Sequence, residues 1–151
     1  MVHEKWQIDV KFVPAECKAS NLEGRFYQYT ILDECSRKRI LYFTNEHTMY
    51  ETVKALIYAC NKISCFPKKH KQVMVLKFSD EIRRKSRRNQ VIERNILERF
   101  CIENNIIHHF IKPRTPQHNR KVERSHRIDQ NKFYKNMKFY SLEDLNIKVI
   151  Y

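Results

Sequence analysis

Three carboxylates occupy positions from which they could act together. Asp9 lies in the middle of the alternating run Trp6-Gln7-Ile8-Asp9-Val10-Lys11-Phe12-Val13, Asp80 follows the apolar run 73–78, and Glu123 lies in the segment opened by Thr115-Pro116. Strand ends and the first turns of helices are where open α/β sheets place their active sites. Three carboxylates brought to one point would repel one another unless a cation neutralised them. Oxygen donors without His or Cys partners select Mg²⁺ or Mn²⁺ over Zn²⁺. Two such ions about 3.5–4 Å apart clamp an in-line displacement at phosphorus, one activating the attacking oxygen and the other stabilising the leaving oxygen. Each carboxylate also has a plain reading. Asp9 could be a solvated or paired strand residue, Asp80-Glu81 could be turn chemistry, and Glu123 could pair with Lys121, Arg124 or Arg127.

Such carboxylates must be carried on elements the chain can build. Its 151 residues suit one domain, burying roughly 68–70% of the surface an unfolded chain exposes. The 42% hydrophobic content supplies a core and argues against global disorder, despite 31% charged residues. The net charge is +13, and it is concentrated: residues 67–94 hold ten basic side chains against three acidic, and residues 112–138 hold nine against two. Blocks of this kind attract polyanions, of which nucleic acid is the commonest, although they also suit a merely solvated basic surface. They lack the continuous Leu/Phe face of a membrane-surface helix. No apolar run approaches the ~20 residues needed to span a bilayer, and the N-terminus has no apolar signal core. Five cysteines (17, 35, 60, 65, 101) form no CxxC pair and read as reduced thiols of a cytoplasmic protein. Gly24 is the single glycine, which excludes any mechanism built on a glycine-rich phosphate loop.

The periodicity predicts the elements. Trp6 to Val13 alternates with period two, placing Trp6, Ile8, Val10 and Phe12 on one face and Asp9 with Gln7 and Lys11 on the other. Residues 25–32 and 39–44 are β-rich and separated by polar turns, so three strands should form an antiparallel meander. Thr48 to Ile63 reads as a helix, with Met49, Val53, Leu56, Ile57 and Cys60 as its inner stripe and Thr48 with Glu51 as a capping box. A strand over 73–78, a basic loop over 83–88, a helix over 91–103 (inner face Ile92, Ile96, Leu97, Phe100) and a strand over 106–111 follow. Thr115-Pro116 is a helix start, and that helix could run to about Lys138, carrying Phe133, Tyr134 and Met137 into the core. Ser141-Leu142-Glu143-Asp144 opens another helix. The order β-β-β-α-β-α-β-α implies a mixed five-stranded α/β sheet, three antiparallel strands then two parallel, flanked by helices.

The stretch IKPRTPQHNRKVERSHRIDQNKFY (111–134) resembles the signature of DDE-type transposases and retroviral-type integrases, in which a Pro-x-Thr-Pro…Asn-Gly-x-x-Glu-Arg segment opens the helix bearing the last catalytic carboxylate. HEKWQIDVKFVP resembles the first catalytic strand of that family, and RFYQYTILDECSRKRI its second and third strands. The match covers nearly the whole chain, and the predicted element order agrees with the family's ribonuclease H-like fold. The resemblance implies that Asp9, Asp80 and Glu123 are the catalytic and metal-binding residues, holding two Mg²⁺ or Mn²⁺ ions. The chain departs from the family pattern at two places: Phe78-Ser79-Asp80-Glu81-Ile82 stands where Thr-Asp-Asn-Gly and an acidic-aromatic pair are usual, and Asn119-Arg120 replaces Asn-Gly.

On this resemblance residues 1–138 form an integrase-type catalytic core, and 139–151 begin a C-terminal helical segment that is cut short, as in a fragment or decayed copy. The implied activity is DNA transposition or integration by a metal-dependent polynucleotidyl transferase acting on DNA in the cytoplasm. Lys112, Arg114, Asn119, Lys121, Arg124, His126 and Arg127 are the expected DNA contacts, with DNA ends and target as partners, possible homo-oligomers, and no membrane or small-molecule cofactor. Two rival expectations stand beside it: an inactive remnant that binds nucleic acid through its basic segments, and a plain nuclease of the same fold. His108-His109 is not expected to bind metal, because adjacent strand residues point to opposite faces.

Overall fold

The computed structural model describes residues 5–64, 96–108 and 120–148. Three strands, β1 (Trp6–Phe12), β2 (Tyr27–Asp33) and β3 (Arg39–Thr44), form an antiparallel sheet in the order β1-β2-β3. The meander expected from the alternation is present. Its register sets Asp9 opposite Thr30, Lys11 opposite Gln28 and Ile8 opposite Ile31. The β2–β3 turn is held by the Asp33 carboxylate, which accepts from the backbone N–H groups of Cys35 at 3.3 Å and Ser36 at 3.2 Å. The predicted strand 73–78, basic loop 83–88 and helix start at Thr115-Pro116 lie outside the described residues. Of the predicted strand 106–111, Ile106 is buried and His108 makes an isolated bridge, while 109–111 lie outside the description.

Both sheet faces are covered by helices, as the element order implies. On the first face Trp6, Ile8, Tyr29, Ile31 and Ile40 pack against α1 (Met49–Ile63) and against α2, described over 96–103. The inner stripe of α1 is Met49, Val53, Leu56 and Cys60, as the spacing predicts, joined by Ala55 and Ala59. Ile57, placed in that stripe by its spacing, is instead 40% exposed. The inner face of α2 likewise turns on Leu97 and Cys101, and Ile96 faces outward. Thr48 caps α1 by accepting from Glu51 N–H at 3.1 Å. The capping box is half formed, because the Glu51 carboxylate accepts from Tyr42 and Lys54 instead. The end of α2 closes with Asn105 at φ 55, Ile106 N–H bonded to the Cys101 carbonyl and Asn105 N–H to that of Ile102, a Schellman closure that folds Ile106 onto the core.

The second face carries α3 (Arg120–Lys132) and, beyond it, a smaller apolar cluster. The helix stops at Lys132 rather than near Lys138, and a 3₁₀ turn, Tyr134–Asn136, follows. That turn drops Tyr134 into the cluster with Val13, Cys17, Phe26, Phe43, Phe139 and Leu145. Phe139 pairs with the chain around Lys18, its N–H bonding the Cys17 carbonyl, and α4 (Leu142–Lys148) is capped by Ser141, whose Oγ accepts from Asp144 N–H. No described helix is long and apolar enough to cross a membrane.

Two predictions arise from this frame. Gly24 has φ +84 with open space where a Cβ would project, so Gly24→Ala should cost about 1 kcal/mol through backbone strain alone, read as a shift in the urea midpoint. Glu51 is buried. Burial by itself would raise its carboxyl, but hydrogen bonds from Lys54, Tyr42 and Thr44 outweigh it and hold the group below its usual range. The folded state thus binds this proton less readily than the unfolded chain. The resulting stability is present above the ordinary carboxylate pKa of about 4.3 and is lost as pH falls through the folded value. Glu51→Gln should flatten that acid limb in a series of melts from pH 7 to pH 2.

Candidate active site

The chemistry-bearing side chains lie in a polar layer between the second sheet face and α3. Period two sends Gln7, Asp9 and Lys11 of β1 to the same face as Gln28 and Thr30 of β2 and Arg39 of β3. Above them, helical spacing brings Val122, Ser125, His126 and Asp129 of α3 to the sheet; Val122, Ser125 and Asp129 are buried.

Asp9 is 5% exposed, and its Oδ2 lies 3.6 Å from His126 Nδ1. The other ring nitrogen, Nε2, lies 3.2 Å from Thr30 Oγ1. Glu123 precedes His126 by three residues, one turn along the same helix, and is half-buried. The helix is oriented by contacts on either side of it. Arg39 of β3 donates to the Ser125 carbonyl at 3.1 Å, while His126 meets Asp9 on β1. Further toward its N-terminus, Lys121 Nζ lies 3.6 Å from Glu34 Oε2, and Glu34 also accepts from Gln7. The helix therefore runs in the same sense as β1, and Glu123 lies at the level of Gln7 to Asp9.

Asp129 is the centre of the layer, and the sequence reading did not single it out. It is 2% exposed; Oδ1 lies 2.5 Å from Arg39 Nη1, and Oδ2 lies 3.8 Å from Lys11 Nζ and accepts from Gln28 Nε2 at 2.8 Å. The Tyr134 hydroxyl donates to Gln28 Oε1, and Gln28 Nε2 also donates to Thr30 Oγ1 at 2.8 Å. A continuous polar chain thus links Asp129, Gln28, Thr30, His126 and Asp9. Burial lowers the pKa of Lys11, opposed chiefly by the attraction of Asp129. Burial raises that of Tyr134, so its hydroxyl remains a donor. The signal for Asp129 was present in the sequence: it stands seven residues after Val122 and four after Ser125, on the stripe that must face the sheet.

Of the sequence-predicted site residues, Asp9 and His126 come together here, and Glu123 lies one turn before His126 on the same helix. Arg124 and Arg127 are exposed on the outer side of α3, and Lys121 is exposed at its start. His126, grouped with these as a DNA contact, is turned inward to Asp9 and Thr30. Asp80, Lys112, Arg114 and Asn119 lie outside the described residues.

Asp9 and Glu123 each carry hard oxygen donors of the kind Mg²⁺ and Mn²⁺ accept, and Asp9 is a buried carboxylate that a cation would offset. Among the described residues no group of three His, Cys, Asp or Glu side chains could hold a metal ion.

No protein-family model matches the chain, and no curated protein does. Solved structures do. The chain is similar to a chain of the simian T-cell lymphotropic virus intasome, solved in complex with PP2A regulatory subunit B56 gamma, at 15% identity and TM-score 0.66, over 97% of this chain and 46% of that one. It is similar to the HTLV-2 integrase catalytic core domain in complex with magnesium, at 17% identity in both forms. The dimeric form gives TM-score 0.55 over 87% of this chain and 70% of that one, and the trimeric form 0.56 over 85% and 68%. The chain spans about half the length of the intasome chain it matches. At these identities the likeness is one of fold: the chain has the α/β fold of retroviral integrase catalytic cores.

Proposed function

We propose that the chain is a DDE-type integrase or transposase core, residues 1–138, that cuts and joins DNA strands. The observation that carries this reading is Asp9 at mid-strand beneath α3, touching His126 one turn from Glu123. The reading extends the observed sheet to a ribonuclease H-like, mixed five-stranded one, with a strand over 73–78 delivering Asp80 beside Asp9. Asp9, Asp80 and Glu123 would then hold two Mg²⁺ or Mn²⁺ ions, which supply charge neutralisation and Lewis acidity at the phosphorus. The exposed cations Lys121, Arg124 and Arg127, with Lys112, Arg114 and Asn119 on the segment leading into α3, neutralise and position phosphates without reading sequence. In the first step water attacks the phosphodiester and the 3′ oxygen leaves as a free hydroxyl, the water's proton passing to solvent. In the second step that 3′ oxygen attacks a target phosphodiester and displaces a target 3′ oxygen. The HTLV-2 core occurs in dimeric and trimeric forms, and self-association of this chain on DNA is part of the proposal.

A second reading, a remnant that binds DNA without cutting it, is favoured by Asp80-Glu81-Ile82 in place of Asp-Asn-Gly and by Arg120 in place of glycine. One experiment separates the readings: an end-labelled duplex incubated with the protein and Mn²⁺, its products resolved by size. Longer, joined strands support the proposal, and shortened strands alone indicate a plain nuclease. Intact strands, with binding that weakens steeply as salt rises, indicate the remnant.

A further inference from the structure

On the reading of the chain as a DNA-binding protein, we propose that Phe12, the exposed end of an aromatic stack at one end of the sheet, binds an unpaired base of a single strand, with Arg25 beside it for the phosphate. Phe12 is the last residue of β1 and lies directly opposite Tyr27, the first of β2. Both side chains therefore leave the sheet on the face that α1 packs against, away from Asp9 and α3. Their ring centres are 5.1 Å apart with planes inclined by 40°. His47, three residues past β3, lays its ring on Tyr27 at 5.1 Å with planes inclined by 30°. It also meets the buried Tyr29 edge-on at 6.2 Å, which ties that end of the stack to the core. At the other end Phe12 is 47% exposed and belongs to neither apolar cluster. Arg25 Cζ lies 5.4 Å from the centre of its ring, a cation–π distance. A single exposed aromatic side chain is ordinary and needs no ligand. Phe12 differs because it continues a stack of two further rings and carries a guanidinium. Ring and guanidinium together present a flat apolar surface beside a positive charge. A nucleobase is flat and brings a phosphate with it, so it matches both halves. An apolar protein partner would bury the guanidinium at a desolvation cost. The net charge of +13 favours the same occupant. In a duplex every base is already paired and stacked, so the base that adds to Phe12 is an unpaired one.

The test uses the whole chain and two fluorescein-labelled strands of equal length, read by anisotropy: oligothymidine, and a deoxyribose-phosphate strand with no bases. Wild type should bind oligothymidine about tenfold more tightly than the abasic strand, since stacking a base on a ring contributes on that order. Phe12→Leu should lose about tenfold on oligothymidine and stay within about twofold on the abasic strand, so that the two affinities converge. The abasic strand also checks that each variant is folded. Phe12→Trp keeps a ring with a larger face and should keep the preference for bases. Arg25→Gln should weaken both strands by about threefold and lower the salt slope, because it removes a phosphate contact. Equal weakening on both strands in Phe12→Leu would show the ring to be structural and overturn the proposal, as would no weakening on either. Phe12→Trp binding oligothymidine as weakly as Phe12→Leu, or Arg25→Gln binding both strands like wild type, would overturn it as well. Loss of self-association in Phe12→Leu, seen by sedimentation with the preference for bases intact, would assign the ring to a second copy instead. Wild type that binds neither strand sinks the reading of the chain as DNA-binding, and this inference with it.

Discussion

Glu123→Gln should lower divalent-dependent strand joining by about 10³-fold or more while leaving the fold intact. Glutamine keeps the length and shape of the side chain and one acceptor oxygen, and replaces the other oxygen of the anionic carboxylate with a neutral NH₂ donor. Glu123 is half-buried on the flank of α3 and belongs to neither apolar cluster, so the substitution should change stability by less than about 0.5 kcal/mol. Single-turnover joining on a labelled duplex, beside a urea melt of the same preparation, measures both quantities. A Gln variant that joins strands at full rate removes Glu123 from the mechanism. Asp9→Asn should be as damaging to the rate but is harder to read, because Asp9 is buried against His126 and its loss also alters packing. Glu123 is therefore the residue at which charge can be tested apart from structure.

The parts of this site that the sequence displays are those set by local rules. The period-two run around Asp9 fixes a strand and a face, and Thr48 or Ser141 before an apolar run fixes a helix start. Alternation does not reveal what lies above a polar face. Gln7, Asp9 and Lys11 share a polar face in the sequence, and α3 lies over it, supplying Asp129 to Lys11 and His126 to Asp9. The pairing of Asp129 with Arg39 joins residues 90 positions apart, and no periodicity within either element encodes it. The end of α3 departs from its apolar spacing for a related reason. Phe133, Tyr134 and Met137 keep helical spacing, but the apolar cluster below is reached by breaking the helix into a 3₁₀ turn that lowers Tyr134 onto Gln28. The family resemblance, by contrast, is carried by residues 3–13, 25–38 and 112–134, and the first two of these segments fall on β1, β2 and the turn to β3.

Asp129→Ala should destabilise the fold by about 3–5 kcal/mol, the cost of removing one partner from a buried ion pair and leaving the other charges behind. Three groups lose an anionic partner at once: the Arg39 guanidinium, the Gln28 amide and the Lys11 ammonium. A domain of this size is stable by only about 5–15 kcal/mol, so the variant should melt at a visibly lower urea concentration or fail to accumulate. The loss comes from stranded charge and not from the pair's net attraction, which distinguishes this case from a surface salt bridge worth about 0–1 kcal/mol. Replacing all three charged members, Asp129→Leu with Arg39→Met and Lys11→Met, should therefore recover most of the stability even though the ion pairs are gone. A single Asp129→Ala substitution costing less than about 1 kcal/mol would mean that water reaches Arg39 and Lys11 in the folded protein. The layer under α3 would then be wet, and the low-dielectric surroundings assigned to Asp9 would have to be given up with it.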